Sequence, residues 1–242
     1  MTRRGGRDTV RSGHIRLQGI GLNMLRKRRR AAAPSPGKLM LPIYQEMDRA
    51  LSAAVADLQN NSGLTPTCTR GCHFCCRQQI PTQPLEVAAV TEYIQEKFSK
   101  AQIAALRDRM REWFRWLRNE LPKLTAEGVD LETAFYAYGP YCPLLVNGEC
   151  SVYAVRPAVC RTHFVSSDPR SCRPRETDPD ALEQEPNILY EITIAVSPIL
   201  HRLRNALERS GIRIEEATML LPQSLVIHMN WQDLWDGPEA DI

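Results

Sequence analysis

Apolar side chains recur at every third or fourth position through most of the chain, and this spacing predicts a mainly helical protein. A first helix is predicted over residues 41–59, before the turn sequence Asn-Asn-Ser-Gly. The clearest alternation runs from 101 to 121 and predicts an amphipathic helix. Three large aromatic residues in that helix, Trp113, Phe114 and Trp116, are expected in the core because their spacing follows its apolar face.

Three further apolar patterns complete the helical prediction. A proline-led helix is expected near Pro84, and a long helix from about residue 186, kinked at Pro198 and closed by Gly211. The apolar segment 219–229 is expected to be helical and to pack back on the core. Since the longest apolar stretch is short and contains Glu191 and Pro198, we expect no membrane span.

Between these helices, residues 141–163 predict smaller elements. Asn147-Gly148 between short apolar runs predicts a β-hairpin, because both turn positions favour positive φ, and the hairpin would bring Cys142 and Cys150 together. Pro157 predicts the start of a short helix with Cys160 in its first turn. The expected fold class is mainly α, a helical domain whose cysteine-rich centre is built from loops, short helices and one small β-hairpin.

The distribution of charge divides the chain in two. Residues 1–38 contain eleven Lys or Arg and one acid, whereas the remaining residues contain twenty bases and twenty-seven acids. We therefore expect a disordered basic arm and linker over 1–38 and a single domain over 39–242, with a metal-binding core at about 64–175. The arm could be a solvated tail, a transit peptide or a nucleic-acid-binding segment. It could also result from a start codon assigned too early, in which case Met24 or Met40 is the true first residue.

The chain has eight cysteines, and Cys68, Cys72, Cys75 and Cys76 fall within nine residues. If that segment is helical, its four thiols share one arc of the helix surface. Two other interpretations stay open, namely an apolar helix stripe and disulfides to distant cysteines. A bond between adjacent Cys75 and Cys76 is disfavoured, because Cα atoms about 3.8 Å apart are too close for a normal disulfide. The close spacing in a long chain favours metal binding.

A second motif follows: Cys-Pro-Leu-Leu-x-x-Gly-x-Cys-x-Val-Tyr-x-x-Arg-Pro-x-x-Cys-Arg, beginning at Cys142. Together with Cys-x3-Cys-x2-Cys-Cys, it resembles the YkgJ-type cysteine cluster family, whose members are described as zinc- or iron-chelating. The resemblance covers about residues 64–165. With the following Cys172 included, the predicted metal ligands are Cys68, Cys72, Cys75, Cys76, Cys142, Cys150, Cys160 and Cys172.

The expected cofactor is an iron–sulfur cluster or zinc, since both take four thiolate ligands. Eight cysteines can fill one site with spares or two sites. His73 and His163 are expected to be neighbours of the metal rather than ligands. Flanking arginines could offset the negative charge of the thiolates, and they are Arg70, Arg77, Arg156, Arg161, Arg170 and Arg173.

Three functions are compatible with these features. In a metal-binding protein, the metal could hold the loops between helices together or carry electrons. Alternatively, the chain could be a protein-modifying enzyme. In a third possibility, the basic arm could bind nucleic acid or an acidic partner. For the enzyme, the cysteine pattern is also similar to that of flagellin lysine-N-methylase, which implies an iron–sulfur cluster with S-adenosylmethionine. We expect a cytoplasmic protein. Whether it is an enzyme, which protein partner it has and its oligomeric state are left open by the sequence.

Overall fold

The structure is a computed structural model, and it describes residues 35–209 and 218–236. The α-helices are α1 (Pro36–Ser62), α2 (Pro84–Lys97), α3 (Lys100–Asn119), α4 (Leu121–Ala126), α5 (Leu131–Thr133), α6 (Ala158–Thr162), α7 (Tyr190–Arg209), α8 (Leu221–His228) and α9 (Asp233–Asp236). A π-helix (Ala134–Tyr138) extends α5, and three short 3-10 helices occupy Phe74–Arg77, Tyr153–Val155 and Pro169–Cys172. The predicted mainly helical fold is confirmed.

Helix α1 is longer than predicted at both ends. The Ser35 side chain accepts a hydrogen bond from the Lys38 N–H, and Pro36 occupies the first turn, where its missing N–H costs nothing. Gly63 ends the helix in the left-handed conformation, with φ of 69°. The helix thus starts ahead of the boundary expected at residue 38. Residues 1–34, where the basic arm was predicted, lie outside the described residues.

One apolar core forms around α2, α3 and α8. Val90, Leu106 and Leu225 are almost fully buried in it. Trp113 and Phe114 are also buried there, so their assignment to the core is confirmed, while Trp116 is partly buried against its edge. A capping box starts α3, where the Ser99 and Gln102 side chains accept from each other's N–H groups, and at the start of α2 the Glu86 carboxylate accepts from the Gln83 N–H.

A second core lies between α1 and α7. Tyr44 and Met47 of α1 meet Ile192 and Val196 of α7, and all four are buried. Helix α7 contains Pro198 as predicted; its predicted closing residue, Gly211, lies outside the described residues. The two cores share α2, which contributes Ala89 to this second one. Helix α2 therefore connects the two apolar clusters beneath the cysteines.

Two small antiparallel sheets complete the described fold. Strand β1 (Pro81–Thr82) pairs with β4 (Met219–Leu220), and β2 (Leu145–Val146) pairs with β3 (Glu149–Cys150). The helix predicted over 219–229 therefore begins later, at Leu221, because its first two residues extend to pair with β1. Among the described residues, the structure contains no helix of the length and apolar character needed to cross a membrane.

Candidate metal centre

The segment from Cys68 to Cys76 is not one helix. It is a loop with a turn at Gly71, whose φ of 95° suits glycine, followed by the 3-10 helix Phe74–Arg77. The Cys72 N–H donates to the Thr69 carbonyl at 3.0 Å within that turn. The condition for the expected shared arc, a helical segment, is therefore not met. The thiols converge because the loop curls around a common space.

Hydrogen bonds to distant segments hold this loop in place. The Thr67 N–H donates to the Val165 carbonyl at 2.9 Å, and the Thr67 hydroxyl donates to the Ser167 carbonyl at 2.6 Å. The Val165 N–H in turn donates to the Cys68 Sγ at 3.3 Å. Such bonds to a sulfur are directional although weaker than bonds to oxygen. The loop is thus fastened to the segment that leads from α6 toward Cys172.

The predicted hairpin is confirmed, and it carries two of the cysteines. Asn147 and Gly148 have φ values of 51° and 78°, as a two-residue turn requires, and Leu145 pairs with Cys150. At the base of the hairpin, the Cys142 N–H donates to the Cys76 carbonyl at 2.7 Å. This bond joins the first cysteine group to the second.

Cys160 lies on the short helix α6, which follows Pro157 as predicted. The buried Glu86 carboxylate of α2 accepts a hydrogen bond from the Ala158 N–H at 2.7 Å, so α2 fixes the start of α6. The buried Arg161 guanidinium binds Asp48 of α1 at 2.7 Å and also donates to the Ala154 and Arg156 carbonyls. These contacts orient the helix that presents the Cys160 thiol.

Seven of the eight cysteines line one cavity of about 160 Å³. They are Cys68, Cys72, Cys75, Cys76, Cys142, Cys150 and Cys160. The remaining Cys172 is outside the lining and buried at the end of the 3-10 helix Pro169–Cys172, with Cys68 and Cys72 as thiol neighbours. The structure therefore brings together cysteines that are far apart in sequence.

All eight cysteines lie among the described residues, and none forms a disulfide. Within residues 35–209 and 218–236, no group of three or more His, Cys, Asp or Glu side chains is arranged so that it could hold a metal ion as it stands. The backbone thus gathers the thiols around a shared space, and metal coordination requires their side chains to turn inward.

Burial dominates the electrostatics of these thiols. It raises the pKa of Cys142 to about 12, with the neighbouring Cys150 thiol adding to the effect, and it raises the pKa of Cys160 well above its usual value. For Cys172, burial raises the pKa to about 11. Thiolates crowded into low dielectric repel one another, and a bound cation removes that penalty. The donor set is therefore the soft, thiolate-rich kind that zinc and iron prefer.

Two of the six flanking arginines line the cavity, Arg70 and Arg156. Arg156 lies over the Tyr153 ring at 3.7 Å, and its charge opposes the rise in pKa of Cys75 and Cys150. The other four are outside the lining and bind elsewhere. Arg161 pairs with Asp48, Arg170 with Asp168 and Arg173 with Asp178, while Arg77 donates to the Ala137 carbonyl.

The two candidate histidines occupy different places. His73 is outside the cavity lining, with its Nδ1 at 3.1 Å from the Gly71 carbonyl oxygen and its ring against Tyr141. His163 lines the cavity and also an open cleft of about 890 Å³ that adjoins it. Burial lowers the pKa of His163, which favours the neutral ring. The periodicity of apolar residues could not predict this cleft, because its walls combine loop residues with short elements such as α5, the π-helix and β1.

Comparison with family models supports this assignment of the cysteine region. Residues 67–183 match the family model CxxCxxCC, described as a "putative zinc- or iron-chelating domain". The resemblance of the two cysteine motifs to a cysteine cluster family is confirmed, and the match supports metal binding by this segment. No curated protein and no solved structure matches the chain.

Proposed function

We propose that this chain, which carries the CxxCxxCC domain over residues 67–183, binds zinc or an iron–sulfur cluster through its cysteines and that the metal is mainly structural. The carrying observation is the convergence of seven cysteines on one cavity. Thiolates from loops, a hairpin and short helices would be cross-linked by one inorganic centre, and such cross-links contribute folding free energy directly. A cytoplasmic location, where thiols stay reduced, suits this chemistry.

The local architecture supports a structural role. The 3-10 helices and α6 are too short to be stable alone, since isolated helices need about 12–15 residues even in favourable sequences. Metal ligation would fix these elements relative to α2, and the two helix cores would supply the base on which they rest. We therefore propose that the main role of the metal is to stabilise residues 67–183, and that a catalytic role is secondary.

Elemental analysis and a visible spectrum of the anaerobically purified full chain identify the metal. A brown protein containing iron and acid-labile sulfide indicates a cluster, whereas a colourless protein with bound zinc indicates zinc. Cys72→Ser is expected to lower the metal content and the melting temperature together, while Thr69→Ser in the same loop leaves both unchanged. A folded wild-type chain that contains neither zinc nor iron would overturn the proposal.

A redox or catalytic role is the second candidate, and the shared position of His163 favours it. The cleft of about 890 Å³ has the size of small-molecule sites and touches the cysteine cavity at this residue. In that case the cleft would admit a substrate to the metal. Calorimetric titration of the metal-loaded protein with S-adenosylmethionine tests whether the chain is a methylase of this kind. A titration that shows no heat of binding would exclude that function.

Nucleic-acid or acidic-partner binding by the basic arm is a separate proposal. Its support is the sequence of residues 1–38, with eleven bases and one acid. Binding of a short duplex that weakens steeply with added salt, and that deletion of 1–34 abolishes, is the expected result. Equal binding by the full and the shortened chain would place the interaction elsewhere.

A further inference from the structure

We propose that the eight thiols form two metal sites of four thiolates each rather than one shared site. The outer set is Cys68, Cys72, Cys75 and Cys172, and the inner set is Cys76, Cys142, Cys150 and Cys160. This division rests on the proposed metal-binding function and deepens it, because it assigns every cysteine to a site, including the one outside the cavity.

Cys172 identifies the outer set. Cys172 is 8% exposed, and it does not line the cavity that the other seven cysteines share. The 3-10 helix that ends at Cys172 packs on the 3-10 helix Phe74–Arg77, which contains Cys75. With Cys68 and Cys72 of the loop that leads to Cys75, Cys172 would complete the four thiolate donors of a closed structural zinc site.

The backbone supports the same grouping. The loop with Cys68 is bonded through Thr67 to the carbonyls of Val165 and Ser167, and that segment continues into the 3-10 helix of Cys172. Cys68 is fastened there by its own sulfur, which accepts from the Val165 N–H at 3.3 Å. Cys68 and Cys172 are therefore carried by one hydrogen-bonded unit.

The inner set centres on Cys160. Cys160, Cys142 and Cys150 all pack against the apolar core around α2, α3 and α8. Cys142 and Cys150 belong to the hairpin, and the Cys142 N–H donates to the Cys76 carbonyl at 2.7 Å. Cys142 and Cys76 also line a second, small space together, beside Trp113. The hairpin, α6 and the end of the first cysteine group thus meet on one side of the cavity.

The adjacent pair Cys75 and Cys76 lies between the two sets. Both cysteines line the cavity, and the Cys76 carbonyl accepts a hydrogen bond from the Cys142 N–H. Two consecutive residues are hard to place on one tetrahedral ion, because their side chains leave the backbone in different directions. Giving Cys75 to Cys172 and Cys76 to its hydrogen-bonded neighbour Cys142 completes four thiolates in each set.

Zinc counting on the full chain tests the division. The protein is stripped of metal under reducing, anaerobic conditions, titrated with zinc(II), desalted, and its bound zinc is measured per chain. The wild type is expected to retain two equivalents. Cys172→Ser and Cys150→Ser are each expected to retain one, and the double variant none. Thr69→Ser and Val159→Ala, which neighbour the outer and inner ligands, serve as controls and are expected to retain two.

Cobalt(II) titration of the wild type supplies a measurement that does not depend on any variant folding. The thiolate-to-cobalt absorption is expected to rise up to two equivalents and then stop. Saturation at one equivalent would overturn the two-site division while leaving metal binding intact. Loss of all metal from a folded Cys172→Ser chain would also overturn it. A wild type that binds neither zinc nor cobalt would instead overturn the proposed function.

Discussion

The two helix cores and the cysteine region are held together by different forces. In the cores, side chains such as Leu106 and Val196 are fully buried against apolar neighbours, and this burial stabilises long helices. In the cysteine region, short elements are joined by single hydrogen bonds around half-buried thiols. One part of the molecule thus folds on its apolar content, whereas under the proposed function the other becomes rigid only when its thiolates bind metal.

Metal removal is expected to have the largest effect, and it is confined to one region. Chelation should raise the hydrogen-exchange rates of backbone amides in residues 64–80 and 140–175 by at least about a thousandfold. The reason is that local opening of these segments would no longer require metal–thiolate bonds to break. Amides of α1 and α2 should stay protected. Hydrogen-exchange mass spectrometry with and without chelator measures this, and equal loss of protection in both regions would remove the distinction.

Leu106→Ala is expected to destabilise the apolar core and to leave the cysteine region intact. Leu106 of α3 is fully buried, so its truncation leaves a cavity and should lower the free energy of unfolding by about 3 kcal/mol. Metal content should be unchanged, since α3 carries none of the cysteines. Denaturant unfolding and elemental analysis of the same sample test both parts. Loss of metal from the folded variant would show that the regions are coupled.

Arg161→Met is expected to affect both regions. Its guanidinium is 2% exposed and donates to the carbonyls of Ala154 and Arg156, which lose their partner in the variant. Unsatisfied buried acceptors cost about 1–3 kcal/mol, so we expect a loss of about 2 kcal/mol together with weaker zinc binding at Cys160. Arg202→Met, at an exposed ion pair with Glu46, is the matched control and should change neither.

The smallest expected effect comes from replacing Glu86, and it is a change in how the free energy of unfolding depends on pH. Burial raises the pKa of this carboxyl, despite the N–H groups of Ala158 and Gln83 that bind it. A carboxyl with a raised folded pKa contributes stability below its unfolded value, about pH 4, and loses it as the pH rises through the folded value. The stability of the wild type relative to Glu86→Gln should therefore fall with rising pH.

Urea unfolding of the two chains at several pH values between acid and neutral conditions measures that difference. The absolute stability of Glu86→Gln is expected to be lower at neutral pH by about 1 kcal/mol, because one backbone N–H loses its acceptor. A difference that grew as the pH rose would mean that the carboxylate form is the one the fold stabilises.

Local patterns in the sequence were sufficient for the helices and the hairpin. The three-and-four spacing of apolar residues in 101–121 predicted α3 closely, since it directly reports which face is buried. Asn147-Gly148 predicted its turn because few residues adopt positive φ at both positions. The two cysteine motifs likewise carried a resemblance to a cysteine cluster family over about residues 64–165, and the family model matches residues 67–183.

Long-range contacts determined what the sequence left open. Met219 and Leu220 became a strand because β1 offered free hydrogen-bonding groups, and the Cys68–Cys76 segment curled into a loop because Val165 and Ser167 bind its start. The position of Cys172 behind the cavity follows from the packing of two 3-10 helices. Periodicity describes an element by its neighbours in sequence, whereas these arrangements depend on hydrogen bonds and packing between residues far apart in the chain, which only the folded structure brings together.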